Sequence, residues 1–293
     1  MPPGRGCAPA PDRGAARAGR ESGGCRCRRT PSRRSLAPCH RSPGLRSQPR
    51  AAGIAPTPTA VPGSEQPAEC AVRREGAMKI GIIGAGHIGG NLTRRLSALG
   101  HDVSVANSRG PETLADLAAE TGATAVLAAQ APVGADLVVV TIPEKNVPLL
   151  PAGLLSGVPV VVDTGNYYPQ QRDGKIAEIE AGTPESVWVS QQLGVPVLKA
   201  FNGIYFEHLI TKARPAGDPD RWALPIAGDD TDAKGVLTGL LDELGFDAVD
   251  YGPLSESWRQ QPGTPSYGAR AGADELRKLL AQASPERTTD FRA

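Results

Sequence analysis

From residue 79 onward, apolar and polar positions fall into blocks that read as strand, turn and helix in succession. Lys79-Ile-Gly-Ile-Ile83 is a short β-rich run that ends on Gly84-Ala-Gly86-His-Ile-Gly89. Apolar residues then recur at Ile88, Leu92, Leu96 and Leu99, the spacing of one helix face, and Gly100 is its stop. Residues 102–106 alternate as a second strand. Pro111 opens a helix with Leu114, Leu117 and Ala118 on one face and Gly122 at its end, and 124–126 reads as a third strand.

The runs 136–141 and 158–163 are each built on a continuous apolar stretch, and 195–201 repeats the pattern more weakly. Strands covered by helices on both faces of a parallel sheet have this composition. A last unit has a strand at 222–226, a helix at about 231–244 striped by Val236, Leu237, Leu240, Leu241 and Leu244, and a strand at 247–251. Strand and helix in alternation predict an α/β fold: a Rossmann-type, doubly wound, mostly parallel sheet in a single domain. Its ligand is expected at the carboxyl ends of the strands.

Composition divides the 293 residues unevenly. Residues 1–77 carry fourteen Arg, no Lys, twelve Pro, five acidic residues and no aromatic, for a net +9; the remainder is −8. Scattered apolar residues such as Leu36, Leu45 and Ile54 cannot offset the entropy of ordering that stretch, so it is expected to be disordered. All five cysteines lie there, which leaves a disulfide framework with nothing to staple, and their spacing fits no zinc pattern. The Arg runs suit a nucleic-acid-binding arm or an organellar transit peptide. A third reading, a natural start at Met78 directly before the first strand, fits best. No run approaches the length of a membrane span, so a cytoplasmic protein is expected, with no membrane partner and no nucleic acid on the folded domain. The domain boundaries read as 1–77 for the extension, 78–254 for the nucleotide-binding domain, and 255–293 for a C-terminal loop and short helix packed on it.

The glycine run leaves a strand and opens a helix, which raises it above a chance GxGxxG. Gly84 permits the turn, Gly86 lets backbone approach a pyrophosphate, and Gly89 lets helix and strand pack closely. His87 and Ile88 lie inside the same loop. NAD-specific domains place an acid at the end of the second strand for the ribose 2′-hydroxyl. Here Asn107-Ser108-Arg109 stands instead, with a hydroxyl and a guanidinium fork suited to a 2′-phosphate. That predicts NADP(H). Thr141-Ile142-Pro143 falls where backbone would flank the nicotinamide ribose. Asp163-Thr-Gly-Asn166 and Phe201-Asn202-Gly203 put small polar groups at the same sheet edge, equally consistent with ordinary turns. Asn202 and Thr141 are the candidates for orienting nicotinamide and acceptor. His101 reads as surface, and His208 is the one histidine worth testing for catalysis. No metal site is expected.

These pieces resemble the coenzyme F420-dependent NADP oxidoreductases, whose domain also forms the cytosolic reductase part of the STEAP metalloreductases. The resemblance rests on 84–89, 107–109, 139–143, 163–166, 199–202, 227–230 and 250–254, in family order. It implies NADPH along the glycine loop, Ser108 and Arg109 on its 2′-phosphate, and a second flat cofactor (F420 or a flavin) near Thr141–Pro143 and Asn202. Hydride would pass directly between the rings. After Leu254 the family continues into an apolar helix that helps shape the second site and a dimer. This chain instead reads as a polar loop with Trp258 and Tyr267, then a short helix at about 273–283. Acceptor and homodimer therefore stay open. The alternatives are a reductase of a small imine or carbonyl substrate and a non-catalytic NADP-binding sensor.

Overall fold

The computed structural model describes residues 76–293, and the expectations made for residues 1–75 lie outside it. Six strands form one parallel sheet: β1 (Lys79–Ile83), β2 (Asp102–Ala106), β3 (Thr124–Val126), β4 (Leu137–Val140), β5 (Val160–Asp163) and β6 (Leu198–Lys199). Their order is β3-β2-β1-β4-β5-β6, so the chain reverses direction across the sheet between β1 and β4. The helices are α1 (His87–Ala98), α2 (Ala115–Thr121), α3 (Ala177–Glu180), α4 (Glu185–Leu193), α5 (His208–Thr211), α6 (Thr231–Leu244) and α7 (Ala273–Ala281). No helix among the described residues is long and apolar enough to cross a membrane.

The unbroken apolar run of β4 is explained by its two neighbours. Leu137 and Val139 join a core with Leu92 and Leu96 of α1 and Leu237 and Leu241 of α6. Val138 and Val140 face a second core with Trp188 and Val189 of α4, Leu155 and Tyr167. Alternate side chains point to opposite faces, and here both faces are covered.

Some expected elements are shorter than their apolar runs. Prolines set the limits, because a proline donates no hydrogen bond to a ladder. Pro159 delays β5 to Val160, and Pro196 delays β6 to Leu198. Phe201, with φ 60°, turns the chain out of the sheet; it is the sole non-glycine residue with positive φ among those described. The last unit does not extend the main sheet. β7 (Ala223–Ile226) and β8 (Asp247–Asp250) pair only with each other, in parallel across α6, and touch the six-stranded sheet through an antiparallel bridge between Lys199 and Ala227.

Two expectations about exposure are corrected. The stretch after Leu254 is not a solvated polar loop: Leu254–Gln260 is a 3-10 helix, and Ser257, Gln260, Gln261 and Ser266 are buried. Of these side chains, Ser266 donates its hydroxyl to the Arg259 carbonyl at 2.6 Å and Gln261 Oε1 accepts from Arg287 at 3.0 Å. His101 is likewise buried, its Nδ1 accepting from the Met78 amide at 3.2 Å and its Nε2 3.5 Å from Glu243.

Candidate functional site

The glycine loop closes β1 onto α1 through contacts that exclude side chains. Gly84 has φ 113°, and a Cβ there would stand 2.2 Å from the Thr141 carbonyl oxygen. A Cβ on Gly89 would stand 1.8 Å from the Gly84 carbonyl oxygen. Gly86 differs: a Cβ there would meet nothing within 4 Å. It is the N-cap of α1, makes no side-chain cap bond, and is followed by a first turn without acidic residues. Backbone donors and the positive end of a twelve-residue helix thus face open space, the arrangement that receives anions at helix N-termini.

That space belongs to a cleft of about 610 Å³. It is lined by Gly84 and Gly86 of the glycine loop, by Asn107, Ser108 and Arg109 after β2, and by Thr141, Ile142 and Pro143 after β4. Leu149 and Leu150 also line it. Eight of the expected cofactor residues therefore converge on one cavity. His87 is exposed but stacks on Phe206, ring centroids 4.3 Å apart. Ile88 packs against the core, and Gly89 supports the loop from behind.

In the turn after β2, the Asn107 side chain is engaged at both ends. Its Oδ1 accepts from the Arg109 amide at 2.9 Å, and its Nδ2 donates to the Thr113 hydroxyl at 2.8 Å. Asn107 thus shapes the turn, while Ser108 and Arg109 remain exposed. Gly110, with φ 101°, follows in a conformation that side chains rarely adopt.

At the carboxyl edge of β5 and β6, the two expected asparagines meet each other rather than the cleft. Asn166 Nδ2 donates to the Asn202 carbonyl at 2.9 Å, and Asn202 Nδ2 donates to Asn166 Oδ1 at 3.0 Å and to the Gln260 carbonyl at 2.7 Å. Asn202 is 5% exposed. The Tyr168 and Tyr267 hydroxyls are also hydrogen-bonded, so two links tie the C-terminal segment to this edge. Trp258 carries the Arg259 guanidinium over its ring at 4.3 Å. His208 packs edge-on against Trp222 at 5.0 Å and is absent from the cleft wall. Burial, then the nearby Arg270 and Lys212 charges, lower its pKa.

Beneath this edge lies a cluster of charges that residue patterns did not reveal. Lys199, fully buried, lies 3.0 Å from Asp163 and donates to the Gly165 carbonyl at 2.5 Å. Ser186 donates to the same Asp163 oxygen at 2.6 Å. Glu144, also fully buried, pairs with Arg172 at 3.0 Å; Arg172 in turn donates to the Asn166 carbonyl and meets Asp173. Glu185, at the start of α4, pairs with Arg287 at 2.6 Å. Burial raises the Glu144 carboxyl well above its ordinary pKa, and the charges of Glu185 and Asp163 add to the rise. Burial also raises Glu185, against the pull of Arg287 and Lys199. For Lys199, burial works toward loss of the proton, but Asp163, Glu185 and Glu144 together outweigh it and raise the pKa. Lys199 within an apolar run was the one signal in the sequence, because a lysine is almost never fully buried unless paired.

A six-stranded parallel sheet of this order, with a glycine loop at the reversal of strand order and no acid after β2, has the Rossmann fold. Residues 79–167, from β1 through β5, match the family model described as NADP oxidoreductase, coenzyme F420-dependent. The resemblance drawn from the motifs therefore holds over that stretch, while its pieces from 199 to 254 lie beyond it. The hypothetical protein SMa0349 of Sinorhizobium meliloti is similar at 28% identity and TM-score 0.56, over 67% of this chain and 95% of that one. A structure from Arthrobacter sp. FB24, provisionally named an F420-dependent NADP-reductase, shares the fold at 23% identity and TM-score 0.53, over 62% and 87%. The Escherichia coli (strain K12) protein YjhV is 49% identical over 53 residues, which span 18% of this chain and 39% of YjhV.

Proposed function

We propose that this protein binds NADPH in the glycine-loop cleft and passes hydride to a deazaflavin of the F420 type or a related flavin. The observation that carries this reading is the convergence of the bare α1 N-terminus, the exposed Ser108–Arg109 pair and the Thr141–Pro143 segment on one cavity of about 610 Å³. NADPH, when bound, supplies the hydride. Gly86 would let it lie against backbone, Ser108 and Arg109 would hold its 2′-phosphate, and Thr141–Pro143 would line the nicotinamide side of the cleft. Proximity and orientation are then the protein's main contribution, since hydride transfer between two flat rings needs little acid–base help. The match of residues 79–167 to F420-dependent NADP oxidoreductases supports the acceptor class.

The bonded Asn166–Asn202–Gln260 group favours a second reading, in which NADP is bound without turnover by a sensor module. A direct test separates the two. NADPH oxidation by the full chain is followed with F420, FMN, FAD and no acceptor. Turnover with F420 supports the first reading. Tight NADPH binding with none of the acceptors reduced supports the second. Failure to bind NADPH overturns both.

A further inference from the structure

The turn after β2 contains a closed ring of hydrogen bonds, and Thr113, outside the cleft wall, is its hub. The Thr113 hydroxyl donates to the Gly110 carbonyl at 2.8 Å and accepts from Asn107 Nδ2 at 2.8 Å; Asn107 Oδ1 then accepts from the Arg109 amide at 2.9 Å. The Thr113 amide also donates to the Gly110 carbonyl, at 3.2 Å. A hydroxyl has one proton to give. Because Thr113 gives it to Gly110, only the donor end of the Asn107 amide can face Thr113, and the acceptor end is left for Arg109. Thr113 therefore sets which way Asn107 points. Gly110 itself has φ 101°, a backbone conformation that residues with side chains rarely adopt.

We propose that Thr113 is a positioning residue for 2′-phosphate recognition: through Asn107 it holds the backbone from which Ser108 and Arg109 project. This inference rests on the reading that the cleft takes NADP(H). The two side chains are exposed, and the turn's pre-organisation lowers the cost of ordering them around a phosphate. A ligand without that phosphate makes no use of the arrangement, so Thr113 acts on cofactor preference and hardly on binding of the shared adenosine.

Equilibrium binding of NADP+ and NAD+ to the full chain tests this, with wild type, Thr113→Val, Thr113→Ser and Arg109→Ala compared. Valine keeps the branched shape and removes both hydrogen-bonding roles; serine keeps both. Losing about one net hydrogen bond should weaken NADP+ binding roughly fivefold in Thr113→Val. NAD+ binding and melting temperature should stay at wild-type values, and Thr113→Ser should restore NADP+ affinity. An unchanged NADP+ to NAD+ ratio in Thr113→Val overturns the proposal, as does an equal loss for both cofactors with a lowered melting temperature. Failure of the underlying reading shows elsewhere: wild type would then bind both cofactors alike, or Arg109→Ala would weaken both equally, and the role of Thr113 would fall with it.

Discussion

Gly86 and Gly89 are three residues apart in one loop, yet their missing side chains do different work. At Gly89 a methyl would collide with the Gly84 carbonyl, whose oxygen would be 1.8 Å away; at Gly86 it would enter open space. Gly89→Ala should therefore cost about 1–3 kcal/mol of stability or more through forced backbone shifts, visible as a lowered melting temperature. Gly86→Ala should leave the melting temperature unchanged and weaken NADPH at least about tenfold by obstructing the pyrophosphate, roughly 1.4 kcal/mol. Arg109→Ala should cost about 1.5–3 kcal/mol of NADP+ affinity, typical of a hydrogen bond to a charged group, and leave NAD+ unaffected in the same titration. These residues were legible in the sequence because their chemistry is local. Thr113 was not, since its meaning comes from three bonds that close only when the turn is formed.

Among elements, the helices and strands from 79 to 140 follow their hydrophobic periods closely, while the carboxyl ends of β4, β5 and β6 carry information no periodicity encodes. Glu144, Asp163, Glu185, Lys199 and Arg287 are distant in sequence and, Lys199 in its apolar run apart, none stands out alone; the fold makes them one cluster. A carboxyl whose folded pKa is raised binds its proton more tightly when folded. Its contribution to stability is fully present below the ordinary carboxyl range and is lost as pH rises through the folded pKa. Glu144 is such a group. Glu144→Gln removes that loss, so the melting temperature of the variant relative to wild type should climb as pH is raised from 5 to 8, a range chosen above the ordinary carboxyl pKa of about 4.3. A flat difference across that range would mean that Glu144 titrates normally.

At the scale of the molecule, the six-stranded sheet was predictable and the path of the last forty residues was not. Polar residues after Leu254 suggested solvent, but Ser257, Gln260 and Gln261 are buried against the sheet edge, and Arg287 reaches Glu185. The polar pattern misled because its partners, Asn202 and Glu185, lie far back in the chain. Arg287→Met should accordingly destabilise the whole domain by about 3–5 kcal/mol at neutral pH, the usual result of stripping a buried charge of its partner. The loss should shrink at pH 5, where Glu185, with its raised pKa, can take up a proton instead. Urea midpoints at the two pH values measure this directly.

The Lys199–Asp163 pair has one more consequence. β5 and β6 are joined by only two residue pairs, Val162 with Leu198 and Asp163 with Lys199. So short a ladder distinguishes poorly between correct and shifted alignments, because neighbouring apolar residues are nearly interchangeable. A slip of one position would set Asp163 against Leu198 or Ala200 and turn side chains to the wrong face. It would also strand a carboxylate in the interior without its cation, at a cost of several kcal/mol. The ion pair thus favours the native alignment of β5 and β6 over a shifted one.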